Sequence, residues 1–236
     1  MIKAFSALHK TYSILRESYV QSTYLTDDFD ERVRITTNWG KTVFNRLNME
    51  VDVQGDIVKD PGTLFVGNHV SYLDIPLLMG TVPGVSFVAK HEIKHWPIFG
   101  PGATKINTVY VKRGKGASRK EAARVIRESI DNGSRVAIFP SGTTSIDGKK
   151  QWRKGAFEIA ESNQCWVQPF RMVYSPLRPV AYIDDDFFPT HLYRLFALDQ
   201  IKTKIEFHEP VKIKDPIQDC LKWQNWAQET LKDSLN

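Results

Sequence analysis

The stretch TLFVGNHVSYLDIP, residues 63–76, changes character halfway along. Thr63 to Val66 is a short apolar run of the kind that forms a buried strand, and Gly67 and Asn68 end it. Ser71 to Pro76 then carries the marks of a helix start, which can be drawn in two ways. With Ser71 as the cap, Ser71 and Asp74 form an S-x-x-D capping box, but Pro76 falls in the second turn, where its missing N–H removes a helical bond. With Asp74 opening the helix, Pro76 sits in the first turn, where it is tolerated. Either way a strand hands over to a helix within a few residues, which is the unit of α/β architecture.

Working outward, the same alternation continues. Candidate strands are TLFVGN (63–68), VSFVAK (85–90), INTVYVK (106–112), RVAIFP (135–140), WVQPFRMVY (166–174), VAYID (180–184) and IKTKIEFH (201–208). Candidate helices begin near Tyr72, Trp96, Ser118, Lys154, His191 and Pro216. The clearest is SRKEAARVIRESIDNG (118–133): Ser118 can cap it, Ala122, Val125, Ile126 and Ile130 form its expected buried stripe, and Gly133 suits the stop. The expected fold is α/β, a mainly parallel central sheet flanked by helices, occupying residues 46–236. Chemistry in such sheets collects beyond the carboxyl ends of the strands.

Residues 1–45 read as an N-terminal helical arm. Ile2, Phe5, Leu8, Tyr12 and Leu15 recur at spacings of three and four, with Lys3, His9, Lys10 and Arg16 mostly between them. This amphipathic stripe suits an interfacial anchor, and equally a helix packed on the body of the protein. Acidic DDFDE (27–31) interrupts it before a second helical stretch, Val33 to Leu47. At the other end, residues 216–235 carry Trp223 and Trp226; Ile217, Leu221 and Leu231 make an ordinary packing stripe, so core packing is expected there.

The totals exclude several classes. A chain of 236 residues with 42% hydrophobic and 25% charged residues builds one sizeable core and is not disordered. A net charge of +5 and a pI near 9.1 favour anionic partners: nucleic acid, an acidic membrane surface, phosphorylated substrates or an acidic carrier protein. Cys165 and Cys220 show no CxxC spacing, so no zinc site, no disulfide framework and a reducing compartment are expected. The first twenty residues lack a continuous apolar run and a small-residue cleavage site, so no secretory leader is expected. The longest uncharged window, residues 75–89, contains Gly80, Pro83 and Gly84 and falls short of the roughly 18 apolar residues of a membrane span. KRGKGASRK (112–120) admits no G-x4-G-K-[ST] phosphate loop, and no nucleic-acid-binding fold is recognisable.

Four stretches carry the chemistry. His69 and Asp74 stand five apart at the end of a strand. They read as a loop residue and a helix cap, or as a proton-transfer pair in which the carboxylate fixes the imidazole tautomer. A general base of this kind contributes roughly 10²–10⁴ in rate. Ser141 stands in PSG rather than G-x-S-x-G, so no nucleophile elbow is present and the base would activate an acceptor directly. INTVYVKRG ends an apolar strand in Lys112 and Arg113, and AIFPSGTTSIDG (137–148) ends one in a loop able to offer N–H groups to an anion. Pro169 inside WVQPFRMVY marks an edge strand or a bulge.

In that order, N-H-x4-D, a strand ending in Arg, F-P-x-G-T-x-S and an apolar run with proline, these stretches resemble the glycerolipid acyltransferase family over residues 40–180. VAKHEIKHWPIFG (88–100), with Lys90, Pro97 and Gly100, fits the same pattern. The resemblance implies that His69 is the general base on an acceptor hydroxyl and Asp74 its orienting partner. It makes Asn68, Arg113, Ser141, Gly142, Thr143 and Thr144 the acceptor side, with Arg113 on its phosphate, and gives Pro169 the acyl-side wall. It also implies acyl-CoA or acyl-carrier protein as co-substrate, a lysolipid acceptor, no metal or other cofactor, and a peripheral place on the cytoplasmic face of a membrane. Lys90, Lys112, Lys149, Lys150 and Arg153 are candidates for anionic groups of the donor or of lipid heads, or else a solvated basic face. One motif departs from the family's FPEGTRS: FPSGTTS (139–145) has Ser141 for the glutamate and Thr144 for the arginine. Losing that arginine removes a charge-assisted contact, so a different lysolipid, such as lyso-ornithine lipid, stays open beside lysophosphatidic acid. Two rivals stand beside both: a membrane-surface binding module on the same scaffold, and a thioesterase using the pair on water.

Overall fold

The computed structural model describes residues 2–24, 26, 28–95, 99–111, 117–147 and 150–232. In chain order the elements are α1 (Ile2–Tyr24), α2 (Phe29–Leu47), β1 (Met49–Gln54), β2 (Leu64–Gly67), α3 (Asp74–Thr81), β3 (Val85–Lys90), a 3-10 turn (His91–His95), α4 (Phe99–Lys105) and β4 (Val109–Val111). They continue with α5 (Ala117–Asp131), β5 (Arg135–Ile138), α6 (Gly155–Asn163), β6 (Val167–Ser175), α7 (Leu177–Val180), α8 (Phe188–Phe196), β7 (Ile201–Phe207) and α9 (Pro216–Lys232). The strands form one sheet in the order β1-β7-β6-β2-β5-β3-β4. Every pairing is parallel except β6 with β7. The expected α/β class with a mainly parallel sheet is what the chain adopts.

Both faces of the sheet are covered, as parallel sheets require. β2 shows why its sequence is apolar throughout. Leu64 and Val66 face a core shared with Ile126 and Ile130 of α5, Phe157 of α6 and Trp223 of α9. Phe65 points the other way, into a core with Val43 and Leu47 of α2, Leu77 and Leu78 of α3, and Leu195 and Phe196 of α8. The acidic cluster before α2 is a cap: the Asp28 carboxylate accepts the Glu31 N–H at 2.8 Å. α2 then lies close on α3, where a side chain at Gly40 would stand 2.5 Å from the Gly80 nitrogen and 2.6 Å from the Pro76 oxygen.

Several expectations need correction. Pro169 is in neither an edge strand nor a bulge; β6 lies between β7 and β2, with Pro169 opposite Val66. Its carbonyl accepts the His208 N–H at 2.9 Å, on the β7 side. The register sets Pro169 opposite His208, and the His208 carbonyl that an N–H at 169 would have met accepts the Gln168 side-chain amide at 3.0 Å instead. VAYID forms no strand, because Val180 closes α7 and the chain turns away. β1 was not anticipated; most of its residues are exposed, so it lacks a strand's alternation. In α9 the tryptophan side packs, with Trp223 buried, while Ile217 and Leu221 are exposed. α1 packs through Ile14 and Ser18, the latter accepting the Trp39 indole N–H at 3.0 Å. Leu8 and Tyr12, from the stripe read in the sequence, are instead 67% and 66% exposed. The side chains of Ile2 and Phe5 lie outside the described residues. Among the described residues no helix is long and apolar enough to cross a membrane.

Candidate active site

β2 delivers the site. At its last residue, Gly67, a Cβ would stand 2.3 Å from the Phe170 ring, so only glycine lets β2 pass β6 here. Asn68 follows and is buried. Its amide nitrogen donates to the Met172 carbonyl at 2.8 Å, and its amide oxygen accepts the Met172 N–H at 2.9 Å. Those two bonds root the following loop on β6 and point the amide at backbone.

His69 and Asp74 meet. Of the two possible starts, the helix takes the one beginning at Asp74, with Pro76 in its first turn. The Asp74 carboxylate is fully buried and turned back over its own loop. Its Oδ2 accepts from His69 Nδ1 at 2.6 Å, the Val70 N–H at 2.7 Å and the Ser71 N–H at 3.1 Å. Its Oδ1 accepts from the Tyr174 hydroxyl at 2.7 Å. Four donors around one carboxylate offset its burial, and the start of α3 adds the favourable end of the helix dipole. The carboxylate bonds no N–H of α3 itself; it gathers the loop before the helix and the His69 ring around one buried acceptor.

The bonding fixes the tautomer. An ionised carboxylate only accepts, so Nδ1 of His69 carries the proton. Nε2 of the neutral ring then carries a lone pair able to accept a proton, and nothing among the described residues bonds it. The side chain is 21% exposed, enough to meet a substrate. The ring lies flat on Phe139, centroids 4.1 Å apart and planes within 13°. Phe139 is the first residue of FPSGTTS and meets Phe170 edge-on. Tyr174 was not foreseen: it stands 100 residues from Asp74 and ends an apolar run in which it reads as core. Burial first, then the neighbouring Asp74 charge, keep its phenol protonated and donating.

The FPSGTTS turn closes on the same loop. Gly142, at φ +67°, donates its N–H to the Phe139 carbonyl at 2.9 Å. The Ser145 N–H donates to the His69 carbonyl at 2.8 Å. Ser141 donates its hydroxyl to the Thr143 carbonyl at 2.7 Å, and the Thr144 hydroxyl donates to the Tyr182 carbonyl. The N–H groups of Val70 and Ser71 bond Asp74, that of Leu73 bonds the Ser71 hydroxyl, and that of Asp74 bonds the Ser71 carbonyl. The amides of Val70, Ser71, Leu73 and Asp74 are thus occupied within the loop.

The basic candidates are only partly brought together with the site. The Arg153 N–H donates to the Pro140 carbonyl at 3.1 Å, which holds its segment beside the turn; Lys150 and Arg153 are exposed. Lys90 is exposed at the carboxyl end of β3. Lys112, Arg113 and Lys149 lie outside the described residues. Among the described residues no cluster of three or more His, Cys, Asp or Glu could hold a metal ion.

The family profile described as Acyltransferase matches residues 49–173. The chain is 33% identical over 185 residues to the lyso-ornithine lipid O-acyltransferase of Pseudomonas aeruginosa, covering 76% of this chain and 70% of that one. It is 34% identical over 211 residues to the enzyme of that name from Rhizobium meliloti, covering 81% and 72%. It is 28% identical over 186 residues to the 1-acyl-sn-glycerol-3-phosphate acyltransferase of Neisseria meningitidis serogroup B, covering 75% and 72%. The fold matches the crystal structure of the 1-acyl-sn-glycerophosphate acyltransferase PlsC from Thermotoga maritima with a TM-score of 0.73 at 21% identity, over 98% of this chain and 94% of that one.

Proposed function

This chain belongs to the acyltransferase family and is an O-acyltransferase, and from that premise we propose that it transfers a fatty acyl group from acyl-CoA or acyl-carrier protein to the hydroxyl of a lysophosphatidic-acid-like acceptor in phospholipid synthesis. The observation that carries the mechanism is the bond from His69 Nδ1 to Asp74, which leaves Nε2 as the base. Nε2 takes the acceptor hydroxyl's proton as that oxygen attacks the thioester carbon, and Asp74 stabilises the imidazolium so formed. The tetrahedral intermediate collapses with loss of the thiolate, which takes the proton back from His69. The amides of Val70, Ser71, Leu73 and Asp74 are occupied, and we assign the oxyanion to the N–H groups of Thr143 and Thr144 in the turn beside His69, which have no partner among the described residues. Asn68 shapes the site by holding β6 and is not an acceptor contact in this scheme. Arg113 is assigned to the acceptor's anionic head, and Lys90, Lys112, Lys149, Lys150 and Arg153 to anionic groups of donor or lipid. The arm and body divide near residue 45, and the exposed Leu8 and Tyr12 of α1 support attachment to the inner face of a membrane as a peripheral protein.

Thr144 favours a second acceptor. Where the family carries a phosphate-holding arginine, this chain has a neutral hydroxyl donated to Tyr182, and two of the relatives described above act on lyso-ornithine lipid. Thiol release from acyl-CoA and from acyl-carrier protein, run with lysophosphatidic acid, lyso-ornithine lipid and no acceptor, separates the readings. Release only with lysophosphatidic acid supports the main one, and release only with lyso-ornithine lipid the second. Acceptor-independent release would mean a thioesterase. His69→Ala abolishes turnover by roughly 10²–10⁴ if the base is assigned correctly.

A further inference from the structure

A second buried histidine, His191 of α8, has no part in the proton transfer, yet its bonds reach the catalytic loop. It is 2% exposed and both ring nitrogens are engaged. Nε2 lies 2.8 Å from the Ala181 carbonyl, which only accepts, so Nε2 carries the proton. Nδ1 of the neutral ring then accepts the Tyr72 hydroxyl at 2.9 Å. Burial keeps both partners in these forms, pushing the imidazole down and the phenol far up.

Tyr72 lies between His69 and Asp74 in the chain, and its ring is surrounded by Tyr182, Phe188 and His191. On the far side of His191, Ala181 leads into Tyr182, whose N–H donates to the Val70 carbonyl at 3.1 Å and whose carbonyl accepts the Thr144 hydroxyl. Ser145 closes the circuit on the His69 carbonyl at 2.8 Å. The loop carrying the base is thus held from within by Asp74 and from outside through Tyr72, His191 and the 181–182 segment. A neutral imidazole suits this place because it offers one donor and one acceptor on opposite edges of a rigid ring.

We propose that His191 is a positioning residue for the acyl transfer: by accepting from Tyr72 and donating to Ala181 it holds the 69–74 loop against the 139–145 turn, so that Nε2 of His69 keeps its aim. This rests on the acyl-transfer reading of the site. A misplacement of about 1 Å costs up to 10²-fold in such reactions, and a partly loosened loop less. The test is a cycle of Tyr72→Phe, His191→Phe and the double variant, with His191→Asn as the variant that keeps an acceptor toward Tyr72. Each single Phe variant is expected to lower kcat about tenfold with the acceptor KM little changed, the double to be no worse than either, and His191→Asn to regain most of kcat. A Tyr72→Phe enzyme within about twofold of wild type, or losses that multiply in the double variant, overturns the proposal. If His191→Phe does not fold, Tyr72→Phe against His191→Asn decides in the same way. Imidazole ¹⁵N–¹H spectra read the site without turnover. Displaced His69 signals in Tyr72→Phe support positioning and unchanged ones overturn it, even if the wild type acylates no acceptor and the acyl-transfer reading itself fails.

Discussion

Asp74→Asn tests the core of the mechanism with almost no change of shape. The amide oxygen can take the place of Oδ2 and keep the bonds from His69, Val70 and Ser71, and the amide nitrogen then faces the Tyr174 hydroxyl, which can accept instead of donating. The tautomer survives and so does the loop. What is lost is the negative charge beside the imidazolium that forms as the acceptor is deprotonated. At an effective dielectric near 20, two charges about 4 Å apart interact by about 4 kcal/mol. The amide dipole recovers part of that, leaving about 3–4 kcal/mol in the transition state, or roughly 10²–10³ in kcat. The assay is single-turnover thiol release, run beside a thermal melt. Expected are the full kinetic loss, an acceptor KM close to wild type and a melting temperature changed little. A folded Asp74→Asn enzyme within about tenfold of wild type would falsify the idea that the carboxylate's charge, rather than its geometry, drives the transfer.

Three further outcomes follow from particular contacts. Thr144→Arg restores a cation where the family has one and breaks the tie to Tyr182; a charge-assisted contact of about 1.5–3 kcal/mol should raise kcat/KM for lysophosphatidic acid about tenfold or more, and no gain would place the phosphate elsewhere. Gly40→Ala forces a methyl into the Gly80 and Pro76 backbone; a destabilisation of about 1–3 kcal/mol is expected in denaturant melts, and an unchanged midpoint would mean that α2 shifts freely on α3. Burial holds His191 below its ordinary 6.5, so the unfolded chain binds a proton that the folded chain refuses. Its contribution to stability is complete above that value and is lost as pH falls through it toward the folded one. Wild type should therefore lose more melting temperature between pH 7.5 and 5.5 than His191→Gln, and equal losses would refute that assignment.

The sequence by itself determined what depends on neighbours along the chain. Period-two and helical patterns with Gly and Pro stops located β2, β3, β5, β6, β7 and the helices between them other than α7, and the H-x4-D spacing placed His69 and Asp74 within reach across one tight loop. Tertiary structure decided what depends on distant partners. Tyr174 completes the Asp74 carboxylate from 100 residues away, and Asn68 is bonded to Met172 from 104 away. Thr144 finds Tyr182, and His191 reaches Tyr72 across 119 residues. Each of these side chains reads alone as core, cap or loop; only the pairing of β6 with β2, and the docking of α8 behind the loop, gives it a partner. Pro169 and α1 teach the same lesson. The proline is tolerated because the Gln168 side chain takes the His208 carbonyl that a backbone N–H would have met, and the helix turns Ile14 and Ser18 inward because Trp39 waits there, neither of which is written in the local pattern. Local propensity is a property of a segment, whereas burial and hydrogen-bond satisfaction belong to pairs, and the pairs exist only once the chain has folded.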